Sequence, residues 1–216
     1  MIKACIFDLD GTLTDTLDSL VYSVNATLKE MGLSTITDEQ CQAFVGNGAR
    51  RLLEESLGVS GDMEHTRIEE AMQIYKRIFD ANCTYQVKPY EGIMELLKEL
   101  KARNIKTAVL SNKPHGQTVK VVREVIGDEW IDWAQGQQEH IARKPDPEAV
   151  YTILDRFGVN KEDALYIGDS EVDIKTGHKA GLTTIGVTWG FRSREQLLEA
   201  GALNLIDKAE ELPKFL

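Results

Sequence analysis

Residues 2–14, IKACIFDLDGTLT, begin as a short apolar run and end in a cluster of acids and hydroxyls. The apolar run predicts a buried strand, and Asp8 and Asp10 follow it directly. A pair of buried carboxylates is costly unless a cation or a proton offsets its charge. The pair is therefore either a surface acidic turn or part of a site that holds a cation. The remainder of the chain has to decide between these two alternatives.

The second half of the chain alternates short apolar runs with amphipathic stretches. The runs that predict strands are residues 105–110, 164–167, 183–187 and 203–206. The stretches that predict helices are residues 92–101, 114–125, 147–157, 173–180 and 194–200. This alternation predicts an α/β fold with a Rossmann-like parallel sheet covered by helices on both faces. Ligands of such sheets bind beyond the carboxyl ends of the strands.

The segment that follows the first strand breaks this rhythm. It contains four helical patterns and no predicted strand, at residues 17–31, 38–44, 49–57 and 64–82. We therefore predict a small all-α cap domain, residues 15–85, inserted over the strand ends. The α/β core domain then consists of residues 1–14 and 86–216.

Composition excludes several classes of protein. The 216 residues are 42% hydrophobic and carry a net charge of −10, which argues against nucleic acid or an anionic membrane as the main partner. No apolar run approaches the length of a membrane span, and Asp8 interrupts the N-terminal run, so we expect no signal segment. Cys5, Cys41 and Cys83 lie far apart, which is typical of free thiols in a reducing cytoplasm.

Four polar clusters fall at or near the carboxyl edge of the predicted sheet. They are Asp8-x-Asp10-Gly11-Thr12, Ser111-Asn112, Lys144-Pro145-Asp146-Pro147 and residues 168–173, GDSEVD. Carboxylates such as Asp8, Asp10, Asp169 and Asp173 are ligands that Mg²⁺ prefers. A serine hydroxyl and a lysine ammonium suit a phosphate group. Together the clusters predict a site for phosphoryl transfer.

The same clusters resemble the four ordered motifs of the haloacid dehalogenase superfamily. The resemblance rests on DLDGTLTDT (8–16), SNK (111–113), RKPDP (143–147) and GDSEVD (168–173), and it spans nearly the whole chain. The predicted helical insertion looks like the small all-α cap of that superfamily. Residues 45–50, VGNGAR, and residues 189–192, WGFR, are similar to the phosphoglycolate phosphatase branch.

This resemblance implies a role for each motif residue. Asp8 is expected to be the nucleophile that forms an aspartyl-phosphate, and Asp10 the acid and base. Ser111 and Lys144 are expected to bind the phosphoryl group. The implied magnesium ligands are Asp8, the backbone carbonyl of Asp10, and Asp169, while Asp173 holds the metal through water or steadies its neighbours.

The implied function is a magnesium-dependent phosphatase that acts on a small phosphomonoester resembling 2-phosphoglycolate. Asp10 favours a phosphatase or a phosphomutase over a dehalogenase or an ion pump. A sugar phosphomutase, and a receiver or binding module that carries a phospho-Asp, remain the alternatives. We expect a small phosphorylated metabolite as the partner of a monomer or homodimer.

Four residues are candidates for contacts with the substrate. Thr12 and Asn112 lie beside the motif residues. Lys113 follows Ser111 and Asn112 in the sequence, and it is either a residue of the site or a residue at the start of a helix that contacts the cap. Arg50, in the cap, is either an exposed helix cation or the residue that binds a substrate carboxylate. In the second case, replacing Arg50 by Ala is expected to raise KM mainly for carboxylated phosphate esters.

Overall fold

The computed structural model describes all residues, 1–216. Six parallel strands form the main sheet in the order β5-β4-β1-β6-β7-β8, so the first strand lies near its centre. The predicted α/β fold class is thereby confirmed. The strands of the chain are β1 (Ala4–Phe7), β2 (Thr14–Asp15), β3 (Lys88–Pro89), β4 (Lys106–Pro114), β5 (Trp133–Gln137), β6 (Ala164–Gly168), β7 (Thr183–Val187) and β8 (Asn204–Ile206).

Helices cover both faces of this sheet. They are α5 (Ile93–Ala102), α6 (His115–Val121), α7 (Glu148–Phe157), α8 (Glu171–Ala180) and α9 (Arg194–Glu199). A π-helix, Val122–Ile126, continues α6, and 3₁₀-helices span Lys161–Asp163 and Ala209–Phe215. All four residues of β1 are buried, since alternate side chains enter cores on opposite faces. Ala4 and Ile6 pack with residues of α7, whereas Cys5 and Phe7 pack with residues of α5.

Four helices form a separate layer between β2 and β3. They are α1 (Leu17–Glu30), α2 (Asp38–Phe44), α3 (Ala49–Ser60) and α4 (Ile68–Asn82). The two chain segments that join this layer to the core pair as an antiparallel ribbon, with Thr14 opposite Pro89 and Asp15 opposite Lys88. The two covalent connections between the core and the predicted cap, residues 15–85, therefore lie side by side.

Several elements, among them β5, β4 and α4, differ from the sequence-based expectation. Strand β5 was not predicted, because WAQGQ has no apolar run. It lies at the edge of the sheet, next to β4 only, and most of its residues are half-buried. Strand β4 extends through Ser111 to Pro114 instead of ending at residue 110. Helix α4 begins at Ile68 instead of residue 64, because the Asp62 carboxylate accepts hydrogen bonds from the backbone N–H groups of Thr66 and Arg67 in a preceding turn.

None of the helices is long and apolar enough to cross a bilayer.

Candidate active site

Residues from the predicted motifs meet in one pocket at the carboxyl edge of the sheet. Asp8 directly follows β1, where its N–H donates to the carbonyl of Ile167 in β6 at 2.9 Å. The core side of the pocket includes Asp8, Asp10, Ser111, Asn112, Lys113, Asp169 and Ser170. The cap covers it with Leu20, Val45, Leu52, Tyr75 and Phe79. The pocket therefore joins a polar floor from the strand ends to a largely apolar roof.

Lys144 provides the positive charge beside Asp8. Its Nζ lies 3.0 Å from Asp8 Oδ1 and 2.8 Å from Asp173 Oδ1, and its side chain is 3% exposed. Burial alone lowers the pKa of this ammonium, but the carboxylates of Asp173 and Asp8 raise the pKa well above its usual value. Lys144 is therefore held as a cation between two acids.

Asp173 is fully engaged by protein groups. Its Oδ1 accepts from Lys144 and from the Tyr166 hydroxyl at 3.2 Å. Its Oδ2 accepts from the N–H of Ser170 at 3.1 Å and from the Ser170 hydroxyl at 2.5 Å, as part of the capping box that starts α8. Of the two roles that the sequence left open, these bonds favour steadying Lys144 over holding a metal.

Asp8 and Asp169 carry charge that the protein only partly offsets. Burial raises the pKa of Asp8 well above its usual value, the charge of Asp173 raises it further, and Lys144 opposes the rise. Burial, with the charge of Asp173, raises the pKa of Asp169 to about 7. Oxygens of Asp8, Asp169 and Asp173 lie within 4.8 Å of one another. Because Asp173 is bound by protein donors, Asp8 and Asp169 are the carboxylates of this buried cluster that fit a divalent cation, which would relieve the repulsion.

Each of the two acids is oriented by neighbouring groups. Asp8 Oδ1 accepts from the N–H of Leu9 at 2.7 Å and forms an ion pair with Lys144, while its Oδ2 accepts no hydrogen bond from the protein. Asp169 accepts from the Thr12 hydroxyl at 3.1 Å and from the N–H of Phe191 at 2.7 Å. Asp8 therefore keeps one oxygen available for chemistry.

Asp10 pairs with a lysine whose role the sequence left open. Lys113 Nζ lies 2.7 Å from Asp10 Oδ1, and the Lys113 side chain is 2% exposed. The same ammonium lies 4.8 Å from the ring centroid of Phe79 in the cap. Lys113 is therefore a residue of the site, and it contacts both the core and the cap.

The candidate substrate contacts are distributed differently from the prediction. Thr12 supports Asp169 and does not line the pocket. Asn112 lines the pocket, but its amide bonds the carbonyls of Gly46 and Lys144 and the N–H of Lys144. It therefore joins β4, the Lys144 loop and the cap.

Arg50 requires a correction of the carboxylate-binding hypothesis. Its guanidinium pairs with Glu69 at 2.5 Å, its side chain is 43% exposed, and it does not line the pocket. The structure therefore favours the alternative of an exposed helix cation. The reason is that Glu69, on the neighbouring helix α4, lies within reach of its side chain.

Two groups that support the site were not recognised as functional from the sequence. Tyr166 lies inside the apolar run of β6, which gave no signal of its bond to Asp173. Arg192 follows β7 and donates to the carbonyls of Val45 at 2.6 Å and Gln42 at 2.9 Å, while pairing with Glu171 at 3.0 Å. The position of residues 189–192 after a predicted strand was the available signal for Arg192.

The fold and the site define a capped Rossmann-like enzyme, with a buried acid–lysine cluster between core and cap. The chain belongs to the haloacid dehalogenase-like hydrolase family, whose model matches residues 5–187.

Similar proteins agree with this membership over almost the full chain. The phosphoglycolate phosphatase of Rhodospirillum rubrum is 32% identical, covering 100% of this chain and 91% of that protein. The phosphoglycolate phosphatase of Pseudomonas syringae pv. tomato is 29% identical over 97% of this chain and 78% of its own. A crystal structure from Haemophilus somnus, of a predicted phosphoglycolate phosphatase, is 25% identical with a TM-score of 0.92, covering 99% and 97%. Family and relatives make the chain a phosphoric monoester hydrolase, similar to phosphoglycolate phosphatases.

Proposed function

We propose that this protein is a magnesium-dependent phosphatase that hydrolyses a small phosphomonoester resembling 2-phosphoglycolate through an aspartyl-phosphate. The observation that carries the proposal is the state of Asp8 in the pocket. One of its carboxylate oxygens is held by Lys144 and the N–H of Leu9, while the other has no partner in the protein. An oriented carboxylate with one free oxygen is suited to attack a phosphorus atom.

In the first step, Asp8 Oδ2 forms a bond to phosphorus as the bond from phosphorus to the ester oxygen breaks. Asp10 donates a proton to the leaving alkoxide, which departs as the alcohol. Lys144 offsets charge on the phosphoryl group and on Asp8. The Ser111 hydroxyl accepts from the N–H of Lys113 at 3.2 Å, so its own proton is available to a phosphoryl oxygen.

In the second step, Asp10 removes a proton from a water molecule that attacks the phosphorus of the aspartyl-phosphate. The bond between phosphorus and the oxygen of Asp8 breaks, which restores the carboxylate and releases inorganic phosphate. Lys113 Nζ donates a hydrogen bond to Asp10 Oδ1 at 2.7 Å, which orients the carboxylate that removes this proton.

The residues that would hold magnesium are Asp8, Asp169 and the backbone carbonyl of Asp10. When bound, the ion supplies charge neutralisation for the phosphoryl oxygens. The raised pKa values of Asp8 and Asp169 support this assignment, because they mark negative charge that burial makes unfavourable.

A phosphate-release screen over small phosphate esters with magnesium tests the proposal, with Asp8→Asn as the blank. Stoichiometric free phosphate and alcohol support a hydrolase. Transfer of the phosphoryl group to another position of a sugar, without free phosphate, would favour the phosphomutase. Stable phosphorylation of the protein without turnover would favour the receiver module.

Magnesium is expected to stabilise the fold in the absence of any substrate. At a concentration 100 times its dissociation constant, it raises the free energy of unfolding by about 2.7 kcal/mol. Thermal unfolding with and without Mg²⁺ measures this, and Asp169→Asn is expected to abolish most of the increase. Asp155, an exposed aspartate in α7, provides the matched control variant Asp155→Asn. An equal magnesium effect in Asp169→Asn and Asp155→Asn would contradict the assignment.

Gly190 is expected to be necessary for the position of Asp169. A Cβ at residue 190 would lie 2.3 Å from the carbonyl oxygen of Gly11 and 2.5 Å from Asp169 Oδ2. We expect Gly190→Ala to lower the free energy of unfolding by about 1–3 kcal/mol. The same variant should weaken magnesium binding by about tenfold or more, since it displaces a ligand. Urea unfolding and a magnesium titration followed by thermal shift measure the two effects.

Gly116 provides the control for this substitution. It lies in α6, and a Cβ there meets nothing within 4 Å. Gly116→Ala should therefore leave magnesium affinity unchanged and be neutral or slightly stabilising, because alanine favours a helix. Equal magnesium affinity in Gly190→Ala and the wild type would show that Asp169 does not depend on this contact.

We further propose a cytoplasmic location, and a small phosphorylated metabolite as the partner of a monomer or homodimer. The three free, buried cysteines support the location, since they are typical of a reducing compartment.

A further inference from the structure

A cation and two stacked aromatic rings line the pocket next to Asp10. Tyr75 and Phe79 lie four residues apart in α4 and therefore on the same face of that helix. Their rings stack with centroids 5.0 Å apart and planes inclined by 20°. The ammonium of Lys113 lies on the Phe79 ring and bonds Asp10. The cap thus places Phe79 on the ammonium that pairs with Asp10, with Tyr75 stacked beside Phe79.

Lys113 is the cation of the pocket that keeps hydrogen-bond donors free. An ammonium has three N–H groups, and only Asp10 accepts one from Lys113. Lys144 is already bound between Asp8 and Asp173. Arg192, the other cation that lines the pocket, donates to backbone carbonyls of the cap and to Glu171. An anionic group of a substrate therefore finds unused donors at Lys113.

Tyr75 supplies a second unused donor in the same pocket. Its side chain is 3% exposed, and its hydroxyl makes no hydrogen bond to the protein. A ligand in the pocket can therefore accept a hydrogen bond from this hydroxyl without displacing a protein partner. The other side chains of the roof, such as those of Leu20 and Leu52, offer no donor.

We propose that Lys113 and Tyr75 bind the carboxylate of the substrate's leaving group, and thereby select phosphate esters of short 2-hydroxy acids. This inference rests on the proposed function, because it takes Asp10 as the group that protonates the leaving oxygen. Lys113 Nζ is 2.7 Å from Asp10 Oδ1. A substrate oxygen that accepts a hydrogen bond from Lys113 therefore lies at most two hydrogen-bond lengths, roughly 5–6 Å, from Asp10 Oδ1. A carboxylate on the carbon that carries the ester oxygen meets this limit.

Kinetics with two matched esters test the proposal. 2-Phosphoglycolate carries the carboxylate, and 2-hydroxyethyl phosphate has a neutral hydroxymethyl group in its place. Tyr75→Phe should raise KM for 2-phosphoglycolate about tenfold or more, and change KM for the neutral ester less than about threefold. Lys113→Gln keeps a donor near Asp10 but loses the charge. We expect it to lower the ratio of kcat/KM for 2-phosphoglycolate to kcat/KM for the neutral ester by about tenfold or more, relative to the wild type.

Tyr22→Phe is the matched control for the loss of a hydroxyl. Tyr22 lies in the cap helix α1, is half exposed, packs its ring on Tyr85 and does not line the pocket. Its kinetics should equal those of the wild type with both esters. Equal thermal unfolding of Tyr22→Phe and Tyr75→Phe shows that any change in KM does not arise from misfolding.

Two results would overturn the inference and leave the proposed function in place. In the first, Tyr75→Phe and Lys113→Gln slow both esters by the same factor. In the second, Arg50→Gln, and not Tyr75→Phe, raises KM for 2-phosphoglycolate. If the wild type releases phosphate from neither ester nor from p-nitrophenyl phosphate with magnesium, the proposed function fails and the inference fails with it.

Discussion

Asp8→Asn is expected to lower kcat for phosphate release by about 10⁴-fold or more, with p-nitrophenyl phosphate and 2-phosphoglycolate alike. In the proposed mechanism Asp8 is the nucleophile. An amide oxygen is a poor nucleophile, and the neighbouring carboxylates of Asp169 and Asp173 are already bound by protein groups. Asp173 is held by three donor residues, and Asp169 is bound by Thr12 and Phe191. A continuous assay of inorganic phosphate, with enzyme at high concentration, measures the remaining rate.

The same variant should be more stable than the wild type in the absence of metal. Burial and the charge of Asp173 raise the pKa of Asp8, so the ionised carboxylate is unfavourable in the folded protein. Asparagine has the same shape without the charge, and it keeps an acceptor for the N–H of Leu9. Loss of activity together with an increased Tm excludes misfolding as the cause, as is typical when an active site is maintained at the expense of stability.

Asp155→Asn is again the control, since Asp155 is exposed and distant from the pocket. It should retain wild-type activity and an unchanged Tm. If Asp8→Asn kept more than about one hundredth of the wild-type kcat, another group would have to be the nucleophile.

The parts of the site that could be predicted from the sequence are those set by local patterns. Asp8, Asp10 and Asp169 follow apolar runs at fixed spacings, and parallel strands bring their ends to one edge. The fold class follows from the same alternation of strands and helices. Strand β5 could not be predicted, because WAQGQ, at the edge of the sheet, lacks the apolar pattern that indicates a buried strand.

The parts that could not be predicted depend on pairing across the chain. Lys113 and Asp10 are separated by 103 positions, and no local pattern states that they meet. Arg50 is a plausible ligand for a carboxylate until Glu69 is placed beside it by the packing of α3 against α4. The sequence pattern places Tyr75 on the apolar face of a helix, which predicts a core residue. Tyr75 lines the pocket because the cap packs over the ends of the strands, and the local sequence does not indicate this packing.

Lys144→Met is expected to lose both stability and activity, because it leaves two buried carboxylates without their cation. Nζ lies 3.0 Å from Asp8 and 2.8 Å from Asp173, and the three side chains are largely buried. Breaking a buried ion pair by removing one partner costs about 3–5 kcal/mol of the free energy of unfolding. Activity should fall by about 100-fold or more, since the variant loses the cation that we propose offsets charge on the phosphoryl group.

Lys106→Met is the matched control for burial. Lys106 pairs with Asp132 at 2.8 Å, the same distance as between Lys144 and Asp173, but its side chain is more than half exposed. Because water screens an exposed pair, this substitution should change the free energy of unfolding by at most about 1 kcal/mol. Urea unfolding of the two variants then separates the effect of burial from the effect of losing a lysine.

The double variant Lys144→Met with Asp173→Asn distinguishes the two roles of the lysine. Removing one carboxylate together with the cation should restore part of the stability, because fewer uncompensated charges remain in the interior. Activity should stay as low as in Lys144→Met, because the phosphoryl group still lacks its cation. If stability and activity recovered together, Lys144 would act only by supporting the fold around Asp173. If stability recovers alone, Lys144 neutralises the reacting group and Asp173 serves to position it.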